Sequence, residues 1–161
     1  MFGLNNLAYL GTISGSWIRT TKIYESTKVC MRREVRKKDL LYPEESYRIC
    51  GALFDVFKEL GTGHREINYQ RAAKIAFEHT GFKTEQEVSV PITYHGFKIG
   101  SYRLDFLING KIIVELKCSD TTSRAYIDQT VSYLKALDLK LCILAQFTSK
   151  GVKIRRIVNI E

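Results

Sequence analysis

Three segments of the chain repeat apolar residues every three or four positions, the period of an amphipathic helix. The first covers about 44–60 and follows Pro43, a residue suited to the start of a helix. The second covers about 64–79 and is followed by Gly81, a residue that commonly ends helices. The third extends to about 137 and follows a run of Ser, Thr and Asp, which are favourable N-cap residues. We therefore predict three helices.

Other segments have the patterns of β-strands. Polar and apolar residues alternate over 88–94, where Pro91 indicates an edge strand, whereas 141–147 is almost continuously apolar, as in a strand buried on both faces. The predicted strands are 88–94, 97–107, 111–118, 141–147 and 152–158. A helix separates the third of these strands from the fourth, which predicts a right-handed crossover between parallel strands. The predicted fold class is α/β, with one mixed β-sheet flanked by helices.

Length and composition change this picture little. With 161 residues the chain fits one domain, and 45% hydrophobic residues exclude a wholly disordered protein. No apolar run approaches the roughly 18 residues that span a bilayer, so we expect no membrane partner. The net charge is +8, but most of the basic excess lies in residues 1–40. We predict a basic leader over 1–40, flexible or a start-site extension, and one domain over 41–161.

The leader and the cysteines bear on location. Residues 1–30 are rich in Ser and Thr and poor in acids, which resembles an organellar transit peptide, but Met31 is an alternative start that would remove them. The four cysteines form no Cys-x-x-Cys pair, and a domain of this size can bury a core without disulfides. We expect reduced thiols and an intracellular, cytoplasmic protein, with organellar targeting as the alternative.

Two consecutive predicted strands carry charged residues where apolar ones are expected. Arg103 and Asp105 share one face of the strand before the Asn-Gly turn, and Glu115 and Lys117 share one face of the strand after it. Charges inside an apolar strand are unfavourable unless they are paired or used. The opposite face of the earlier strand would be apolar: Tyr102, Leu104 and Phe106.

The turn decides whether the two carboxylates meet. A two-residue turn would place Asp105 opposite Val114 and direct Glu115 to the other face. A three-residue loop, 108–110, would place Asp105 opposite Ile113 and leave the carboxylates diagonal to each other on one surface. The sequence permits both turns, and a shared metal site requires the second of them, the three-residue loop.

Two nearby carboxylates repel each other unless a cation binds between them or one is protonated. All-oxygen ligands favour Mg²⁺ or Mn²⁺. Lys117 could then orient an attacking water or stabilise charge on a phosphate. The alternative is a structural ladder of two ion pairs, Arg103 with Glu115 and Asp105 with Lys117, and no chemistry.

Four motifs in order resemble one known family. They are Gly-x-x-Glu-x-x-Tyr from Gly63 to Tyr69, Arg103 to Asp105, Glu115 to Lys117, and Gln129 to Lys135. Together they closely resemble the GxxExxY protein family, a branch of the PD-(D/E)xK nuclease superfamily. The resemblance covers about 44–158 and implies a restriction-endonuclease-like core of helix, three strands, helix and strand.

The resemblance also implies roles for the matching residues. Asp105 and Glu115 would bind the divalent metal, with the backbone carbonyl of Leu116 as a further ligand and Glu66 acting through a metal-bound water. Lys117 would position or activate the attacking water. Gln129, on the last helix, would support the site.

These expectations combine into a metal-dependent nuclease that hydrolyses phosphodiester bonds of DNA or RNA, with DNA the first candidate. One alternative is a protein of the same fold that binds nucleic acid without cutting it. The other is an interaction module. No element that would read base sequence is visible, and the edge strand at 86–94 could pair across a homodimer.

Overall fold

The computed structural model describes residues 21–26 and 41–159. These residues form three helices and one six-stranded sheet in the strand order β1-β6-β5-β4-β3-β2. The elements in chain order are β1 (Thr21–Ser26), α1 (Pro43–Leu60), α2 (Glu66–His79), β2 (Thr84–Tyr94), β3 (Phe97–Ile108), β4 (Ile112–Cys118), α3 (Arg124–Ala136), β5 (Leu141–Thr148) and β6 (Gly151–Asn159). The α/β fold with one mixed sheet, predicted from the sequence, is confirmed.

The strand pairing confirms the predicted crossover. β4 and β5 are parallel and α3 connects them, whereas the other neighbouring strands are antiparallel. β2 lies at one edge of the sheet, as Pro91 indicated. The structure extends this strand to Thr84, four residues before the predicted start.

Helices cover both faces of the sheet. α1 and α2 pack on one face through a core that includes Ile49, Leu53 and Phe77. On the other face, α3 packs through Tyr133 and Leu134. Ser123 caps α3 by accepting a hydrogen bond from the backbone N–H of Ala125. The carboxyl ends of β4 and β5 therefore lie between two helical layers.

β3 changes its orientation at Asp105. Leu104 packs in the cluster under α3, whereas Phe106 packs in the cluster under α1 and α2. The expectation that Leu104 and Phe106 share one face is therefore wrong. On the neighbouring strand Glu87 has φ 55 and lies between two paired residues, which marks an irregularity at the same level. Because the alternation of side chains between the two faces of β3 breaks here, Asp105 does not occupy a regularly paired position of the sheet.

Part of the predicted leader has regular structure. Thr21–Ser26 forms β1 and pairs antiparallel with β6, although the sequence pattern predicts no element there. The other leader residues, Met31 among them, lie outside the described residues. Within the described part of the chain, no helix is long and apolar enough to cross a bilayer. Cys50, Cys118 and Cys142 are free thiols, as expected, but Cys118 is exposed.

Candidate active site

The register of β3 and β4 differs from both predicted alternatives. Pairing begins at Ile108 with Ile112, so the turn contains Asn109, Gly110 and Lys111. Asn109 and Gly110 both have positive φ, and the Lys111 N–H donates to the Ile108 carbonyl at 3.0 Å. This is the backbone of a tight Asn-Gly turn followed by one additional residue.

The additional residue is held from outside the hairpin. The Lys111 ammonium donates to Glu45 of α1 at 2.6 Å and lies 4.6 Å from the centroid of the Tyr42 ring. With Ile108 opposite Ile112, the same register places Asp105 directly opposite Glu115. The two carboxylates therefore face each other across the strands instead of lying diagonally.

Next to Asp105 and Glu115, hydrogen bonds between carboxylates and backbone N–H groups take the place of the backbone–backbone hydrogen bonds of the sheet. The backbone N–H of Asp105 donates to Glu115 Oε1 at 3.1 Å, and the backbone N–H of Leu116 donates to Asp105 Oδ2 at 2.8 Å. Regular pairing between the strands ends one residue earlier, at Phe106 and Val114. Each carboxylate thus accepts a backbone donor of the strand pair, which fixes its position without help from an ion.

α2 contributes two polar side chains to the same place. Gln70 Nε2 donates to Asp105 Oδ1 at 3.0 Å, and Glu66 Oε2 accepts the Cys118 backbone N–H at 3.2 Å. Glu66 and Gln70 are four residues apart on α2, so they lie on one side of the helix. Sequence analysis predicted Glu66 but missed Gln70, although its i+4 spacing from Glu66 was a usable signal.

The tyrosine of the Gly-x-x-Glu-x-x-Tyr motif has a packing role. Tyr69 is buried, its hydroxyl donates to the Gly61 carbonyl at 2.7 Å, and its ring stacks on Phe147 with centroids 4.2 Å apart. Gly63 has φ 88, a backbone conformation that favours glycine. These contacts set the start of α2, and with it the position of Glu66.

Lys117 lies between two acids. Its Nζ is 3.5 Å from Glu115 Oε2 and 3.9 Å from Glu66 Oε1, and its side chain is only 18% exposed. Arg103 instead contacts Glu87, with 3.7 Å between Nη1 and Oε1. The alternative hypothesis of a structural ion-pair ladder, in which Arg103 would pair with Glu115, is therefore wrong.

Burial and mutual charge perturb the acids and the lysine. Burial raises the pKa of Glu115 to about 8, and the Asp105 charge adds to the shift. Burial also raises the pKa of Asp105, against the hydrogen bond from Leu116. For Lys117, burial lowers the pKa, but the surrounding carboxylates outweigh it and the net pKa is raised. Lys117 therefore stays protonated at neutral pH.

One open cleft of about 430 Å³ contains all five residues predicted as catalytic, namely Glu66, Asp105, Glu115, Lys117 and Gln129. Gln129 reaches it from α3 and is exposed, and the buried Tyr133 closes the floor on the same side. The cleft is mostly polar in its lining, as a site for a charged ligand requires.

The donor set of this cleft suits a hard divalent cation. Among the described residues, no group of three or more His, Cys, Asp and Glu side chains is arranged to hold a metal. Mg²⁺, however, is commonly bound by one or two carboxylates and keeps several of its waters. Asp105 and Glu115 supply two carboxylates, and burial together with a neighbouring carboxylate raises the pKa of each. A cation bound between them would favour their ionised forms.

Comparison with known proteins supplies the family. The family model of the PD-(D/E)XK nuclease superfamily matches residues 43–157, which include the whole cleft. The chain belongs to the PD-(D/E)XK nuclease superfamily. No curated protein matches the sequence. Membership of the GxxExxY branch stays a prediction.

Two solved structures resemble this PD-(D/E)XK chain distantly. One is an alkaline exonuclease, LHK-Exo, from Laribacter hongkongensis, with 15% identity, a TM-score of 0.44, and coverage of 72% of this chain and 71% of that one. The other is SSO0001, with 15% identity, a TM-score of 0.38, and coverage of 73% and 77%.

Proposed function

We propose that this PD-(D/E)XK protein is a metal-dependent nuclease that hydrolyses phosphodiester bonds of DNA or RNA. The observation that carries the proposal is the facing pair of carboxylates, the partly buried Asp105 and the buried Glu115, with the protonated Lys117 beside them. Membership of a nuclease superfamily supports it independently. DNA is the first substrate to test. The proposal also includes membership of the GxxExxY branch and an intracellular location.

Asp105 and Glu115 would hold the divalent cation, Mg²⁺ or Mn²⁺, with the Leu116 carbonyl as a further ligand and Glu66 acting through a water. When bound, the cation would supply Lewis-acid activation of the water and neutralise charge on the phosphate. The backbone donors from Asp105 and Leu116 keep one oxygen of each carboxylate in place. The carboxylates are therefore positioned before any ion arrives.

Lys117 acts as a fixed positive charge. Burial disfavours the charged form, but the neighbouring carboxylates outweigh it and raise the pKa of Lys117. The role we assign to this ammonium is to orient the attacking water and stabilise negative charge on the phosphate. Glu66 and Glu115 hold this ammonium from two sides. Gln129 is exposed at the rim of the cleft, where its amide can donate to a phosphate oxygen of the substrate.

The deciding experiment incubates the protein with labelled single-stranded, double-stranded and branched DNA and RNA, in Mg²⁺, Mn²⁺ or EDTA. Asp105→Ala and Lys117→Ala test the site, and Lys83→Ala, a highly exposed lysine that contacts Glu85, is the matched control. We expect metal-dependent cleavage that both site variants abolish and the control retains.

Cleavage that persists in Lys117→Ala would contradict the proposed site. Binding of nucleic acid without cleavage on any substrate would favour the non-cutting alternative of the same fold. Titration of the wild type and of Asp105→Ala with Mn²⁺ then shows whether such a protein has a metal site. Mn²⁺ binding that Asp105→Ala removes would indicate a metal site without cleavage, and no binding to either protein would indicate that the site is absent.

A further inference from the structure

The hairpin of β2 and β3 extends beyond the sheet. β3 pairs with β4 from Phe106 to Ile108, while its pairing with β2 continues to the turn at Phe97. Near the sheet the hairpin packs against α3, since Val90 and Leu104 are fully buried in that cluster. Every residue from 93 to 99 is exposed. We name residues 93–99 the hairpin tip.

The tip presents apolar side chains to solvent. Tyr94 is 64% exposed, Phe97 is 76% exposed and Ile99 is 66% exposed. Tyr94 and Phe97 are cross-strand partners, and the His95 ring packs against Tyr94 edge to face, with centroids 4.2 Å apart. Among the described residues, the remaining large hydrophobic side chains of comparable exposure, Tyr47 and Ile75, lie on the helices. A concentration of exposed aromatics at one tip marks an interaction surface.

The charge of the hairpin suits a polyanion. No acidic residue occurs between Glu87 and Asp105, whereas Lys98 and Arg103 are basic. Lys98 is exposed at the tip beside Phe97, and Arg103 lines the cleft. Aromatic rings interleaved with cations are the elements that bind unstacked bases and the phosphates between them.

We propose that the hairpin tip binds unpaired bases of a single-stranded nucleic acid, so that the substrate of the cleft carries a single-stranded stretch. The inference rests on the proposed function, because it assigns a substrate class to the same site. A duplex hides its base faces in the stack, whereas a single strand offers them to Tyr94 and Phe97. The same strand, β3, carries both the tip and Asp105.

The length of the hairpin sets the reach of this contact. Phe97 is eight residues from Asp105 along β3, which at the rise of a strand is about 26 Å. At the stacked spacing of one strand, this distance corresponds to about eight nucleotides. An extended, unstacked strand covers the same distance with fewer nucleotides, so a 20-nucleotide strand can occupy the cleft and the tip together.

The test measures binding of labelled oligonucleotides by fluorescence anisotropy in EDTA, where cleavage does not interfere. The probes are thymidine and uridine homopolymers of 20 nucleotides and a blunt 20-base-pair DNA duplex. Phe97→Ala removes the ring and Phe97→Tyr restores one. Ile75→Ala removes an exposed hydrophobic side chain from α2 and is the matched control. Thermal melts establish that each variant is folded.

We expect Phe97→Ala to weaken binding of the 20-nucleotide single strands about tenfold, while Phe97→Tyr and Ile75→Ala stay near the wild type. Binding of the duplex should change less than twofold. Lys98→Ala should reduce the slope of log affinity against log salt concentration for single strands by about the amount expected for one phosphate contact.

An equal loss on duplex and single strand, or no loss on either, would overturn the assignment. So would a dimer, seen by sedimentation, that Phe97→Ala dissociates, because a second copy of the chain would then cover the tip. If Phe97→Ala changes neither the cleavage of single strands nor the affinity for them, the proposed role of the hairpin tip is overturned and the proposed nuclease activity stands. Tip-dependent binding without cleavage supports the tip and counts against the nuclease.

Discussion

Asp105 and Glu115 lie opposite each other on β3 and β4, and each carboxylate accepts a backbone N–H from this strand pair. Glu115 Oε1 accepts from Asp105 itself, and Asp105 Oδ2 accepts from Leu116. Two acids, the buried Glu115 and the partly buried Asp105, are thereby fixed close together, where their charges repel. The strand register brings these two carboxylates together and so creates a possible site for a cation.

Gln70 should position Asp105. Its amide donates to Asp105 Oδ1, so we expect Gln70→Ala to lower metal affinity and cleavage about 10- to 100-fold, the usual effect of losing a partner of a metal ligand. Titration with Mn²⁺ and steady-state cleavage check this. Arg71→Ala, an exposed neighbour on α2, is the control and should change neither quantity. A fall in melting temperature without a change in metal affinity would contradict a positioning role.

The stability of the metal-free protein should depend on Glu115. Burial, with the Asp105 charge second, raises its pKa from 4.5 to about 8, so the folded state binds this proton more tightly than the unfolded state does. The stabilising contribution is complete below pH 4.5 and is lost as pH rises through about 8. We therefore expect the free energy of unfolding in EDTA to fall over this range.

Urea denaturation at several pH values measures this slope. Glu115→Gln should flatten it, whereas Glu78→Gln, an exposed acid on α2, should not. Added Mg²⁺ or Mn²⁺ should restore stability most strongly at high pH, where no proton has to be displaced. An identical slope in wild type and Glu115→Gln would show that another group is responsible.

Tyr69 should contribute to stability and leave the chemistry unaffected. Tyr69→Phe removes the hydroxyl that donates to the Gly61 carbonyl but keeps the ring on Phe147, so we expect a loss of about 1 kcal/mol and cleavage within twofold of wild type. Chemical denaturation and a cleavage assay give the two numbers. Tyr47→Phe, at an exposed tyrosine of α1, should alter neither. Lost cleavage with unchanged stability would assign the hydroxyl to the reaction.

A side chain at Gly110, in the Asn-Gly turn, should destabilise the protein. Gly110 has φ 66, so Gly110→Ala places a Cβ in the left-handed region and should cost about 1 kcal/mol. This corresponds to a fall of about 4 °C in melting temperature for a domain of this size. Gly100→Ala is the control, since its Cβ would meet Ile92 at an ordinary 3.5 Å. Equal effects of the two substitutions would show that the backbone conformation of Gly110 is not limiting.

Local pattern was enough to find most of the elements and the charged residues of the cleft. A carboxylate and an ammonium inside an apolar strand conflict with their surroundings, and this conflict is visible in sequence at Glu115 and Lys117. The helices and the crossover follow from periodicity and chain order in the same way. Such features depend on neighbours a few residues apart.

The tertiary structure decided what depends on distant partners. The turn contains Lys111, whose ammonium pairs with Glu45, 66 residues earlier, and this additional residue brings Asp105 opposite Glu115. Gln70 meets Asp105 across 35 residues of chain. The sequence alone thus identified the charged side chains that lie within an apolar strand. Long-range contacts fixed their register, because a shift of one residue in a strand moves a side chain to the opposite face.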